Sequence, residues 1–197
     1  MKKTFIKAVL IVEGSDEEEV VNHLLRLHNI DGVDIRNMKG RDNLLSVTKS
    51  ITDSKYRDVK RVGIIYDSED QPKISQENLD KARKELLEAD PTKQVSFLQL
   101  PASDQVGSFE AMCLKAIDAD DGVLACARQY LTCLEGVDHR LSTQARKDKA
   151  LLMAWYAAST GENISRVGID ARSHKHFDYK HDAFAPLVQF IQALVRS

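Results

Sequence analysis

Two acidic groups in this chain have the residue types and placement to do chemistry. Glu13 follows the apolar run Lys7 to Val12, and Asp67, Glu69 and Asp70 follow the apolar run Val62 to Tyr66. Carboxylates held close together repel unless they are protonated or bridged by a cation, and such hard oxygen ligands suit Mg²⁺ or Mn²⁺. The plainer reading is that strand ends are wet and acids there are soluble turn residues. What separates the two is whether the fold brings the groups together.

The elements that must do so are legible from hydrophobic periodicity. Lys7 to Val12 reads as a strand that feeds an amphipathic helix carrying Val20, Val21, Leu24, Leu25 and Leu27. Ser15 with Glu18 has the spacing of a capping box, and Asp16, Glu17 and Glu19 suit the dipole-positive first turn, which accounts for them without any chemistry. Val33 to Met38 is a second strand, and Asn43 to Thr52 a second helix. Val62 to Tyr66 is a third strand, Ser75 to Ala89 a third helix and Val95 to Leu100 a fourth strand. Alternation of this kind predicts βαβ crossovers and a mostly parallel sheet of about four strands flanked by helices. In such a sheet ligands bind beyond the carboxyl ends of the strands, where both acidic groups fall.

Beyond Pro101 the pattern turns helical, over Phe109 to Ile117, Val123 to Leu134, Thr143 to Ser159 and Phe184 to Val195, with an edge strand at Arg166 to Asp170. No Gly, Pro or Ser-rich linker divides the halves. We expect one domain over residues 1–197, a βαβ core at 1–101 and a mainly helical extension at 102–197 packed on it. The 197 residues are 43% hydrophobic, enough for one full core, and 28 basic against 30 acidic residues leave no global field to capture nucleic acid. A phosphate-bearing partner needs a local device. No apolar run approaches the length of a membrane span, no signal peptide is read, and three cysteines without metal or disulfide spacing read as reduced core residues of a cytoplasmic protein.

V-E-G at Val12 to Gly14, together with I-I-Y-D-S-E-D at Ile64 to Asp70, resembles the Toprim domain of topoisomerases, bacterial primases and the overcoming-lysogenisation-defect nucleases. G-R-D-N-L-L at Gly40 to Leu45, G-S-F-E-A-M-C-L at Gly107 to Leu114 and H-D-A-F-A-P-L at His181 to Leu187 extend the likeness to a family of small stand-alone Toprim-like proteins of unknown function. The resemblance implies a Rossmann-like Toprim fold. It implies a general acid or base, or a water-mediated metal contact, at Glu13, and a metal ligand at Asp67. Its D-x-D motif reads Asp67, Ser68, Glu69 here, with Asp70 as a substitute. Glu110 matches a further acid after the fourth strand, and otherwise reads as a first-turn helix acid. Lys147 and Lys149 lie where a related nuclease places a phosphate-binding lysine, although a solvated helix face also explains them. Lys39 and Arg41, beside Gly40, are the nearest local phosphate contacts.

The function expected is a nuclease or phosphodiesterase of Toprim type that depends on Mg²⁺ or Mn²⁺ and acts on DNA or RNA. The alternative is a non-catalytic module binding nucleic acid, a nucleotide or a protein partner. The ATPase domain that accompanies the related nucleases is absent from the chain, which makes an ATPase or other protein a candidate partner. A receiver-like phosphoacceptor at Asp67 fits less well, since Glu13 is followed by glycine and not by a second acid. His174, His176, Asp178, His181 and Asp182 form a group that can chelate Zn²⁺ but reads first as a His-rich loop. Trp155 and Tyr156 read as core packing. P-loop, dinucleotide and serine-hydrolase motifs lack their entry residues.

Overall fold

Ala8–Val12 is apolar at every position, a pattern that only a strand covered on both faces tolerates. It forms β1 and is wholly buried. The computed structural model describes residues 6–52, 55–101, 107–137, 139–160 and 177–196. After β1 come α1 (Ser15–Leu27), β2 (Val33–Asn37), a 3-10 turn at Arg41–Asn43 leading into α2 (Leu44–Thr52), β3 (Arg61–Asp67), α3 (Pro72–Ala89) and β4 (Gln94–Leu100). The four strands form one sheet in the order β2-β1-β3-β4, and every pairing is parallel. Ile11 lies opposite Arg36 on one side and Ile64 on the other.

This order has a consequence for the site. The chain moves one way from β1 to β2, then reverses across β1 to β3 and on to β4. Right-handed crossovers therefore send α1 to one face and α2 with α3 to the other, and the reversal leaves a crevice between the carboxyl ends of β1 and β3. Alternating side chains confirm the two faces. Leu10, Val12 and Ile65 pack with Val20, Val21 and Leu24 of α1, whereas Val9, Ile11, Ile64 and Tyr66 pack with Ile51 of α2 and with Leu79 and Leu86 of α3.

Two helix starts differ from the sequence expectation. Pro72 takes the first turn of α3, ahead of Ser75, because its fixed φ and missing N–H suit that position. Ser75 is then buried inside the helix, with its Oγ 3.1 and 3.2 Å from the carbonyl oxygens of Asp67 and Ser68. In α1 the N-cap is Gly14 and not Ser15, and no side chain caps the helix. Glu18, expected in the capping box, instead accepts a hydrogen bond from Asn37 Nδ2 at 2.9 Å.

The later helices are α4 (Phe109–Lys115), α5 (Gly122–Cys133), α6 (Gln144–Thr160) and, after a 3-10 turn at Asp182–Phe184, α7 (Ala185–Arg196). They join the core on the α1 face. The apolar stripe Phe184, Leu187, Val188, Ile191 and Leu194 is buried, as its spacing predicts. Its seat is Gly63 on β3, where a Cβ would lie only 2.7 Å from Leu194 Cδ2 and 3.0 Å from Leu10 Cδ1. Trp155 and Tyr156 are core residues, edge to face at 5.2 Å between ring centroids. Of the cysteines only Cys113 is buried. Cys126 and Cys133 do share a face of α5, but Leu124 and Ala127 supply its buried side and leave both thiols exposed. Arg166 to Asp170 lies outside the described residues. Among the described residues no helix is long and apolar enough to cross a membrane.

Candidate functional site

Glu13 is the first residue after β1 and Asp67 the last of β3, so parallel pairing of these neighbours delivers both carboxylates to the same end of the crevice. The loop after β2 is fastened to the same point, because Gly40 N–H donates to the Glu13 carbonyl at 3.0 Å. A third segment arrives from beyond β4. Gly107 N–H donates to the Glu69 carbonyl at 2.8 Å, and this brings Ser108, Phe109 and Glu110 over the end of β3. The Phe109 backbone N–H then donates to Asp67 Oδ2 at 3.1 Å.

Two adjoining cavities result, of about 450 and 250 Å³, with Glu13, Glu17, Glu110 and Lys149 as their common wall. The smaller is also lined by Asp67, Glu69, Ser108 and Arg146. Glu13, Asp67, Glu69, Glu110 and Lys149 are thus brought together. The other candidates stand apart. Asp70 Oδ1 accepts the N–H of Gln144 at 3.1 Å, which makes it a cap for the start of α6. Neither Lys39 nor Lys147 is among the residues lining these cavities. Arg41 forms an ion pair with Glu69 and lies 3.3 Å from Ser75 Oγ, with its guanidinium 5.6 Å from the centroid of the Tyr66 ring. Lys149 Nζ sits 3.4 Å from Glu110 Oε1. Of the histidine group, His174 and His176 lie outside the described residues, His181 Nδ1 accepts from Ala183 N–H and Asp178 Oδ1 from Lys180 N–H.

Sequence reasoning missed two participants. Glu17 was assigned to the helix dipole alone, yet it lines both cavities. The reason is the one-residue shift of the cap. With Gly14 as N-cap, Glu17 and not Glu18 becomes the third helical residue, the position whose side chain folds back over the helix start. The E-G-x-x-E spacing from Glu13 to Glu17 was the available signal. Ser108 is the second: it is only 3% exposed, and its Oγ has no hydrogen-bond partner. Glu13 Oε2 is likewise buried without a partner.

The electrostatics follow from this crowding. Burial first, then the Glu69 charge, pushes the Glu13 carboxyl up to about 7, against the opposing Arg41 guanidinium and the Asp67 backbone N–H. Burial also raises Glu17, with Glu13 and Glu110 adding to the shift and its own backbone N–H opposing it. Asp67 is raised well above the carboxylate range by burial and then by the charges of Glu17, Glu13 and Glu110, the Phe109 N–H acting the other way. Burial and mutual repulsion thus act together on three neighbouring carboxyl groups.

A family model described as a protein of unknown function, DUF3226, matches residues 7–196. The chain belongs to that family. Comparison with the curated proteins finds no match. Among solved structures the chain is similar to the C-terminal region of the OLD protein of Xanthomonas campestris pv. campestris. In the structure phased with mercury the identity is 13%, the TM-score 0.48 and the coverage 97% of each chain. In the structure phased with iodine the values are 14% and 0.47, covering 97% of this chain and 96% of that one.

The donors of the DUF3226 chain fit Mg²⁺ or Mn²⁺ by their chemistry: all are hard oxygens, and Glu13 Oε2 and Ser108 Oγ are buried with no partner. Among the described residues no group of three or more His, Cys, Asp or Glu side chains is placed so that it could hold a metal ion.

Proposed function

We propose that this chain is a divalent-cation-dependent phosphodiester hydrolase acting on nucleic acid, of the Toprim type its sequence resembles. The observation that carries the reading is the convergence of Glu13, Glu17 and Asp67 at the carboxyl ends of β1 and β3, in one cavity where, among the described residues, the ion pairs of Arg41 and Lys149 go to Glu69 and Glu110 instead. Glu13, Glu17 and Asp67 are the residues that would hold Mg²⁺ or Mn²⁺. When bound, the ion supplies neutralisation of the phosphodiester charge and activation of the attacking oxygen.

The chain's own side chains do the rest. Phe109 N–H donates to one oxygen of Asp67, at the wall of the cavity. Glu13, with one oxygen unengaged, is the group for proton transfer or for a water-mediated contact. Lys149 and Arg146, on the α6 wall, offer positive charge to a phosphate, and the Ser108 hydroxyl offers a donor. Positioning and electrostatics of this sort account for most of the catalysis that such reactions need.

The test is cleavage of labelled DNA and RNA by the purified protein with Mg²⁺, with Mn²⁺ and with EDTA. Cleavage that requires the ion and is abolished in Glu13→Gln and Asp67→Asn supports the reading. Cleavage in EDTA, or full activity in Glu13→Gln, overturns it. A second reading, a binding module without catalysis, draws on the absence of a closed ligand cage among the described residues. It predicts retention of nucleic acid or nucleotide with no cleavage under any ion.

A further inference from the structure

We infer that Arg41 is a built-in cation that takes the place of one metal ion, so that the acidic cavity binds a single divalent ion. The inference rests on the hydrolase reading above and sets its stoichiometry.

Five carboxylates line the smaller cavity or its wall: Glu13, Glu17, Asp67, Glu69 and Glu110. They do not have equal freedom to take a metal. Glu110 is paired with Lys149. Glu69, the residue standing where the Toprim motif has its second aspartate, is paired with Arg41. That guanidinium is no loose surface charge. Its second nitrogen lies against Ser75 Oγ, itself buried and fastened to the carbonyl oxygens of Asp67 and Ser68, and the cation sits on the Tyr66 ring. Arg41 is therefore tied to the end of β3 at three points, and a planar fork fixed in this way loses little entropy in holding a carboxylate.

The backbone commits Glu69 to the same arrangement. Its φ is +45°, which turns it out of the strand direction that Asp67 follows, and its carbonyl is held by Gly107 N–H. The glutamate side chain at this position reaches Arg41. Among the described residues three carboxylates then remain without an ion pair, Glu13, Glu17 and Asp67, and the unpartnered Ser108 hydroxyl lies in the wall of the same cavity. Three carboxylates and a neutral oxygen suit one hard divalent ion. A second ion would have to displace Arg41 from Glu69.

Mn²⁺ binding to the full chain, measured by calorimetry and by electron paramagnetic resonance, tests this directly. The wild type should bind one ion per chain. Arg41→Gln frees Glu69 and should bind two. The double variant Arg41→Gln with Glu69→Gln, which has the same net charge as the wild type, should return to one ion per chain. Two ions in the wild type, or one ion in Arg41→Gln, overturns the inference and leaves the hydrolase reading standing. Two ions bound by the double variant would mean that Glu69 is not the group Arg41 withholds, and would also overturn it. No binding by the wild type removes the metal-dependent reading itself.

Discussion

A Cβ on Gly14 would lie 2.9 Å from Glu17 Oε2, so the absence of a side chain at the N-cap is what lets Glu17 fold back to the cavity. Gly14→Ala should therefore move the Glu17 carboxylate with little damage to the fold. Its backbone is extended, with φ at −135°, which alanine adopts freely. The loss in stability should stay below about 1 kcal/mol, the scale of an N-cap change. Mn²⁺ affinity should fall, and Glu17→Gln should reproduce the fall. Calorimetric titration of both variants checks this, and unchanged affinity in both would return Glu17 to a helix-dipole role.

Stability should depend on pH through Glu13. Burial and the Glu69 charge push its carboxyl up to about 7 in the folded chain, from an ordinary value of 4.5. A raised carboxyl means that the folded state holds the proton longer, so the stabilisation is present below about 4.5 and is lost as pH rises toward 7. In EDTA the melting temperature of the wild type should fall across that window relative to Glu13→Gln, whose amide does not titrate. Saturating Mn²⁺ should remove the difference from the wild-type side. Parallel melting curves for the two proteins across the window would contradict the assignment.

Ser108→Ala should leave the apo protein as stable as the wild type or stabilise it. The hydroxyl is buried with no partner and caps no helix bond, and an unsatisfied buried group costs about 1–3 kcal/mol. The same change should weaken ion or phosphate binding if the hydroxyl faces a ligand. Thermal melts with and without Mn²⁺ separate the two effects, and a fall in the EDTA melt would mean the hydroxyl had a structural partner.

Gly63→Ala should destabilise the fold by about 1–3 kcal/mol, the usual cost of overpacking, because its Cβ would strike Leu194 and Leu10. Combined with Leu194→Ala the loss should be smaller than the two single losses added, since the second change removes the obstruction. Deletion from His181 onward, which takes away the whole α7 stripe, should lower the melting temperature of the entire protein. Additive losses in the double variant, or an unchanged melt after deletion, would mean that α7 does not seat on β3.

The βαβ order, the buried strands and the α7 stripe were legible in the residues, because each depends on local periodicity over a few turns or strand pairs. Val9, Leu10, Ile11 and Val12 read as a doubly covered strand, being short, rich in β-branched residues and apolar throughout, and Leu187 to Leu194 as a one-sided helix. The acids at the ends of β1 and β3 were legible for the same reason, being the first polar residues after apolar runs. What the residues could not decide is which of those acids converge. Asp70 and Glu69 are neighbours in sequence, yet one caps α6 and the other pairs with Arg41, because Gln144 and Arg41 come from segments 74 and 28 residues away. Glu17 and Glu18 differ only in the placement of a cap by one residue, which turns one side chain into the cavity and the other toward Asn37. Charges attract and repel through space, and only the packed chain sets those distances.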